Sequence, residues 1–227
     1  MSTPLRLVIF DVDGTLVDSQ SDIVAAMTLA YAAVNEPVPP RAEILGVVGL
    51  SLDVIFPLLM PQMSAQGHAQ MCVAYKNAYM EMRAQAGVKQ SSPLYPGALD
   101  VLHGLQSEPD ILLGVATGKS KRGLDKLIEG HGLEGLFVTQ QVADFHPSKP
   151  HPSMILQAMS DAGVEARNTV MIGDTSFDMD MAAAAGVRGI GVGWGYPGRE
   201  RLSAASVLIE DFAGLRPVLN EMWKVSA

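Results

Sequence analysis

From residue 111 onward the chain alternates short apolar runs with helical stretches, and that alternation narrows the possible folds to very few. Ile111 to Ala116, Leu136 to Thr139, Thr169 to Ile172, Gly189 to Val192 and Ser206 to Ile209 read as strands. Between them, Ser120 to Glu129, Pro152 to Ala162, Met179 to Ala185 and Phe212 to Val225 read as helices, with Pro152 at a first turn and Gly186 closing the third. Strand and helix in alternation imply a parallel sheet covered on both faces, a Rossmann-like doubly wound α/β core. One further apolar run, Leu7 to Phe10, stands near the start. Residues 19–90 offer no strand. Ile23, Met27, Ala30, Tyr31 and Val34 recur at helical spacing, with Asp18, Ser19 and Ser21 as candidate N-caps, and Asn35-Glu36-Pro37 ends that helix. Pro39-Pro40 opens a short helix, and Leu52 to Leu59 and Ser64 to Gln85 read as two more. Gly46 to Ser51 reads as a glycine-punctuated loop, and Ser91 to Gly97 as a return linker. The expected division is an α/β core domain, 1–18 and 91–227, interrupted by a helical domain, 19–90.

The 227 residues suffice for a sizeable core. Sixteen Lys and Arg against 24 Asp and Glu leave a net charge of −8, which argues against nucleic acid or an anionic membrane as partner. The longest apolar stretch, Ile23 to Val34, is too short to span a bilayer. A single cysteine, Cys72, fits a reducing compartment, and the start Met-Ser-Thr-Pro-Leu-Arg has no signal-peptide pattern. The expectation is a cytoplasmic protein, monomer or homodimer.

The chemistry gathers where strands end. The run Leu7 to Phe10 is followed at once by Asp11 and Asp13. Residues two apart in an extended backbone point the same way, so both carboxylates can face one volume at the carboxyl end of the strand. Gly14 lets the chain turn. Paired carboxylates ask for a cation, and oxygen-only ligands suit Mg²⁺. The plainer reading is a strand that ends in a polar turn. Thr117-Gly118-Lys119 follows the strand Ile111 to Ala116, where a hydroxyl and a backbone N–H before a helix form an anion site. Lys119 itself reads as a surface or supporting lysine. Lys149 stands among prolines on a stiff backbone that can aim its ammonium. Another strand ends at Gly173-Asp174, with Asp178 one helical turn on, either near a metal or complementing a helix dipole. His146 and His151 lack a third soft ligand and read as structural. Gly191 to Tyr196 lacks the helix a dinucleotide fingerprint requires. Trp194 and Tyr196 read as lining a site or as packing.

Asp11-Val12-Asp13-Gly14-Thr15-Leu16-Val17-Asp18-Ser19, with Gly173-Asp174-Thr175-Ser176-Phe177-Asp178, resembles the haloacid dehalogenase superfamily of phosphatases, in its phosphoglycolate-phosphatase-like branch. The superfamily's dehalogenases lack the second Asp, so Asp13 points to phosphoryl chemistry. The resemblance implies that the first strand is central, flanked by those at 111 and 169, and that the helical insert is a cap. It implies Asp11 as nucleophile, Asp13 as acid and base, and Thr117, Lys149, Gly14 and Gly118 around the phosphate. Mg²⁺ falls to Asp11, the Asp13 backbone carbonyl and Asp174, with Asp178 touching or orienting its shell. The substrate implied is a small phosphorylated metabolite, phosphoglycolate-like or a sugar phosphate. Asp13 must carry a proton in its first role, which a free Asp, titrating near ~3.9, does not at working pH.

Rival readings are a β-phosphoglucomutase-like mutase, an inorganic pyrophosphatase and a binding protein with a silent site. The loop Gly46 to Ser51 holds no Lys or Arg for a second phosphate, though Arg41, Lys76 and Arg83 can reach inward. No motif position is substituted, which disfavours the silent site.

Overall fold

The computed structural model describes residues 4–196 and 202–224. Six parallel strands form one sheet in the order β3-β2-β1-β4-β5-β6. They are β1 (Arg6–Phe10), β2 (Ile111–Thr117), β3 (Thr139–Val142), β4 (Thr169–Gly173), β5 (Arg188–Val192) and β6 (Val207–Ile209). β1 is central, between β2 and β4, as expected. Its run of apolar residues follows from burial on both faces. Val8 and Phe10 enter one core with Val115, Ile172 and Leu102, whereas Leu7 and Ile9 enter the other with Met171 and Ile155.

Five helices connect β1 to the return linker: α1 (Gln20–Ala32), α2 (Arg41–Leu45), α3 (Leu52–Leu59), α4 (Ala65–Ala86) and α5 (Val88–Ser91). They carry their own apolar cluster, which includes Met27, Tyr31, Phe56 and Met71. The two segments that lead into and out of this insertion lie side by side. Val17 and Leu94 form an antiparallel bridge, Asp18 N–H donates to Pro93 O (2.8 Å), and Tyr95 N–H donates to Leu16 O (2.9 Å).

The remaining helices are α6 (Ala98–Gln106), α7 (Lys121–His131), α8 (Ser153–Ala162), α9 (Ser176–Ala184) and α10 (Leu215–Lys224). α6 has no counterpart in the sequence reading, although Ala98, Leu102 and Leu105 are all buried at helical spacing. The third strand is displaced from its expected place. Leu136 and Phe137 are buried in the core but lie outside any strand, and β3 begins at Thr139. β3 is an edge strand, and its polar side chains are satisfied locally. Thr139 Oγ1 and Gln141 Nε2 donate to Asp161 Oδ2 at 2.8 and 2.7 Å. Counting apolar residues therefore picked the wrong segment. α9 starts three residues earlier than expected because Thr175 caps it. A 3₁₀ turn, Phe212–Gly214, precedes α10, and Val225, its expected end, lies outside the described residues. No helix among the described residues is long and apolar enough to cross a membrane.

Leu102, fully buried, tests how much α6 contributes. Leu102→Ala should cost about 2–5 kcal/mol of unfolding free energy in urea titrations. A loss of under about 0.5 kcal/mol would mean that α6 packs loosely on the sheet.

Candidate active site

Strand register builds this site. Phe10 of β1 pairs with Val115 of β2 and Ile172 of β4. Asp11, Thr117 and Asp174 therefore stand within one residue of the same level, at the carboxyl edge of the sheet. Asp11 N–H donates to Ile172 O (2.9 Å), which fixes the chain as it leaves β1. All three residues are buried.

Lys149 holds the middle. Its Nζ lies 2.8 Å from Asp11 Oδ1 and 2.6 Å from Asp178 Oδ1, and its side chain is fully buried. Asp178 has a second task. Its Oδ2 accepts from Thr175 N–H (3.1 Å) and Thr175 Oγ1 (2.6 Å), while Asp178 N–H donates to Thr175 Oγ1, which makes a capping box at the start of α9. Asp178 thus serves the helix start and also meets Lys149. Asp174 accepts from Thr15 Oγ1 at Oδ1 and from Tyr196 N–H at Oδ2, each at 3.0 Å.

Oxygens of Asp11, Asp174 and Asp178 lie within 4.8 Å of one another. Neither Asp11 oxygen receives a well-aimed hydrogen bond; the contact with Lys149 is ionic. Burial pushes the Asp11 carboxyl up to about 7, against the pull of Lys149 and with the push of Asp178. Asp174 is raised well above the carboxylate range by burial, then by Asp178 and Asp11. Lys149 is raised as well, but by the opposite balance. Burial alone would lower it, but Asp11 and Asp178 together raise it. Close packing demands glycine here: a Cβ on Gly14 (φ +85°) would lie 2.2 Å from Asp174 Oδ2.

Asp13 faces the same cavity as Asp11 but is held differently. Its carboxylate stands outside the three-carboxylate cluster, with Lys119 Nζ 2.7 Å from both oxygens and Ser19 Oγ donating to Oδ1. Lys119 is thus no surface lysine. Its side chain is 9% exposed and reaches 3.5 Å from Tyr79 Oη of α4. Ser19 precedes α1 but makes no side-chain cap there. It turns to Asp13, and the Tyr196 hydroxyl accepts its N–H (2.7 Å). Tyr196 therefore braces both Asp174 and Ser19. Trp194 is packing: its ring lies on Phe212 and Tyr95, and its Nε1 donates to Thr15 O (3.1 Å).

Thr117 Oγ1 accepts from Lys119 N–H at 3.3 Å. A Cβ on Gly118 would lie 2.6 Å from Gly49 O and 2.7 Å from Leu50 O, so only glycine lets the loop 46–51 lie against this turn. Ser51 N–H donates to Ser148 Oγ (2.9 Å), beside Lys149. Between core and insertion lies a cavity of about 990 Å³, bordered by Asp11, Asp13, Thr117 and Lys119 on one side and by Leu50, Tyr79 and Arg83 on the other. Lys76 also lines it, whereas Arg41 bonds Gln20 Oε1 at the surface. His146 bonds Ser153 and Gln141, and His151 accepts from Ser153 N–H, in keeping with structural roles.

Sequence reasoning brought together Asp11, Asp13, Thr117, Lys149, Asp174 and Asp178. It missed Thr15, Ser19 and Tyr79, and it undervalued Lys119 and Tyr196. Thr15 and Ser19 lie within the first motif, but nothing in their spacing says which acid each serves. A family model described as haloacid dehalogenase-like hydrolase matches residues 8–192, which spans every strand of this site but β6. The chain belongs to the haloacid dehalogenase-like hydrolases.

A probable phosphatase IndB of Dickeya dadantii (strain 3937) is 35% identical to this hydrolase over 225 residues, 97% of this chain and 96% of that one. A phosphoglycolate phosphatase of Agrobacterium fabrum (strain C58 / ATCC 33970) is 31% identical over 97% of this chain and 95% of its own. The crystal structure of a hydrolase from Pseudomonas syringae superposes with a TM-score of 0.83 at 25% identity, covering 95% of this chain and 98% of that one.

The raised Asp11 carboxyl gives the hydrolase a pH signature. Its folded value, about 7, exceeds the unfolded one, so folding takes up a proton. Its stability contribution is complete below the unfolded value and is lost as pH rises through about 7. Asp11→Asn removes that loss. In chelator-treated protein, the stability difference between variant and wild type should shift in the variant's favour by about 2 kcal/mol between pH 5.5 and 8. A pH-independent difference in urea titrations would show that Asp11 is not strained by burial.

Proposed function

We propose that this hydrolase is a phosphatase, acting on a small phosphorylated metabolite, phosphoglycolate-like or a sugar phosphate, through an aspartyl-phosphate on Asp11. The observation that carries the reading is Asp11 itself. It is a buried carboxylate without well-aimed hydrogen bonds, beside Lys149, bordering a cavity. The names of its relatives support the same activity.

The donor set fits a hard divalent cation. Three buried carboxylates gather around one ammonium that pairs with two of them, Asp11 and Asp174 are pushed up by burial and by neighbouring acids, and no thiolate or imidazole joins the cluster. Asp11, Asp174 and the backbone carbonyl of Asp13 would hold Mg²⁺. Asp178, in contact with Lys149, would touch the shell of that ion or orient Lys149 beside it. When bound, the ion supplies the charge neutralisation that lets a carboxylate approach a phosphate.

The chain's own groups then divide the work. Asp11 attacks phosphorus in line and the ester oxygen leaves. Lys149, Thr117 and the Gly118 N–H stabilise the transferring oxygens. Asp13 gives its proton to the leaving alkoxide and later takes one from the water that splits the aspartyl-phosphate. Lys119 must release one Asp13 oxygen before that oxygen carries a proton. Residues 19–90 act as a cap that excludes bulk water when the substrate is seated. The loop 46–51 presents no cation to the cavity, which favours hydrolysis over transfer to a second phosphate site. A single half-buried cysteine suits the cytoplasm.

Phosphate release from p-nitrophenyl phosphate tests this reading. EDTA should abolish turnover, Mg²⁺ should restore it, and Asp11→Asn should remain at background. Near-normal release from that variant would rule out the nucleophile. Asp13→Asn separates the two halves of the reaction, because nitrophenolate leaves without an acid. A burst of nitrophenol near one per site should precede steady turnover slowed by about 10²–10⁴-fold. Unchanged steady-state rates would remove Asp13 from the mechanism.

A further inference from the structure

We infer that Arg83 is the specificity residue of this site. It receives a second anionic group on a phosphate monoester longer than a two-carbon ester. The inference rests on the phosphatase reading above and adds the class of substrate.

Arg83 lies on α4 and is 9% exposed, yet among the described residues no carboxylate pairs with it. Its Nη1 donates to Gly123 O (3.0 Å) and its Nη2 to Ser92 Oγ (3.4 Å), both neutral acceptors, while its buried Nε has none. The guanidinium lies over the Tyr79 ring, 5.1 Å from its centroid. A buried charge without a counter-ion is costly, and a bound anion relieves that cost. Arg83 also lines the cavity that holds Asp11.

Its neighbours strengthen the case. Lys76, Tyr79 and Arg83 follow at i, i+3 and i+7, so one face of α4 turns to the cavity. From the core side, Arg122 and Lys126 of α7 line the same space. Asp53 and Asp144 are the acids on these walls; Asp144 accepts from Lys121 N–H (2.8 Å), and neither pairs with Arg83. The cations away from the phosphate site therefore outnumber the acids there. At about 990 Å³ the cavity matches drug-sized ligands and leaves most of its volume unfilled by a two-carbon ester.

Arg83 also ties the insertion to the core, so the test must separate recognition from support. The probes are alkyl phosphates of increasing length that end in a carboxylate, a second phosphate or a neutral carboxamide. Wild-type kcat/KM should favour a charged terminus over the amide by roughly 10–100-fold, mainly through KM. The carboxylate and bisphosphate arms identify which anion is preferred. Arg83→Met should bring that ratio near one, and Arg83→Lys should restore part of it. Equal wild-type rates for charged and neutral termini would overturn the inference, as would an Arg83→Met protein that slows both alike and keeps the ratio. Should Arg83→Met fail to fold, the wild-type and Arg83→Lys ratios decide. Calorimetric binding of the same compounds to Asp11→Asn protein reads the preference without turnover. Failure of the phosphatase reading, with no phosphate released from any compound, is thereby distinct from failure of this one.

Discussion

One ammonium among three buried carboxylates is the constraint from which the rest of the structure follows. Lys149 touches Asp11 and Asp178, and Asp174 stands within the same few ångströms. Attraction and like-charge repulsion act together there, and burial weakens the screening of both. Such a cluster persists only where the backbone holds each member. The sheet register fixes Asp11 and Asp174, and the capping box fixes Asp178. The remaining imbalance shows in the raised Asp11 and Asp174 carboxyls. The same imbalance makes the site receptive to a divalent cation.

Around that centre the polar residues form two groups. Asp11 and Asp178 share Lys149, and Asp174 stands beside them at the sheet edge. Asp13 belongs to a second group, with Lys119, Ser19 and, through Lys119, Tyr79. The second group spans core and insertion, whereas the first belongs to the core alone. Groups proposed for phosphoryl attack thus stay at the sheet edge of the core. The proposed acid rests on contacts that a movement of the insertion would alter.

Much of this was legible in sequence because both groups begin where an apolar run stops. Burial on both faces makes β1, β2, β4 and β5 readable as apolar runs, and the acid or hydroxyl that closes the runs of β1, β2 and β4 marks the sheet edge. Strand order came from family resemblance, since periodicity carries no information on neighbours. β3 escaped because an edge strand can be polar: Thr139 and Gln141 answer to Asp161, while the apolar Leu136 and Phe137 fill the core without pairing. α6 was readable from Ala98, Leu102 and Leu105 but lies directly behind a linker of turn residues. Lys119 stays open between a surface and a supporting role for a different reason. A lysine after Thr-Gly looks the same whether it meets solvent or a carboxylate, and Asp13 is 106 positions away in sequence. Tyr79 is invisible for the same cause, and so are the partners of Tyr196, since these are contacts between segments far apart in the chain.

The paired linkers at Val17 and Leu94 have a consequence of another kind. The insertion begins and ends at one point on the core. Its ends are already joined by backbone hydrogen bonds, so the chain between them closes a loop whose entropy cost grows only slowly with length. A shorter, longer or differently folded insertion would leave β1, β2 and β4 in the same register. The architecture treats the helical segment as an exchangeable attachment: the sheet edge keeps its residues, and the attachment supplies the opposite wall of the cavity.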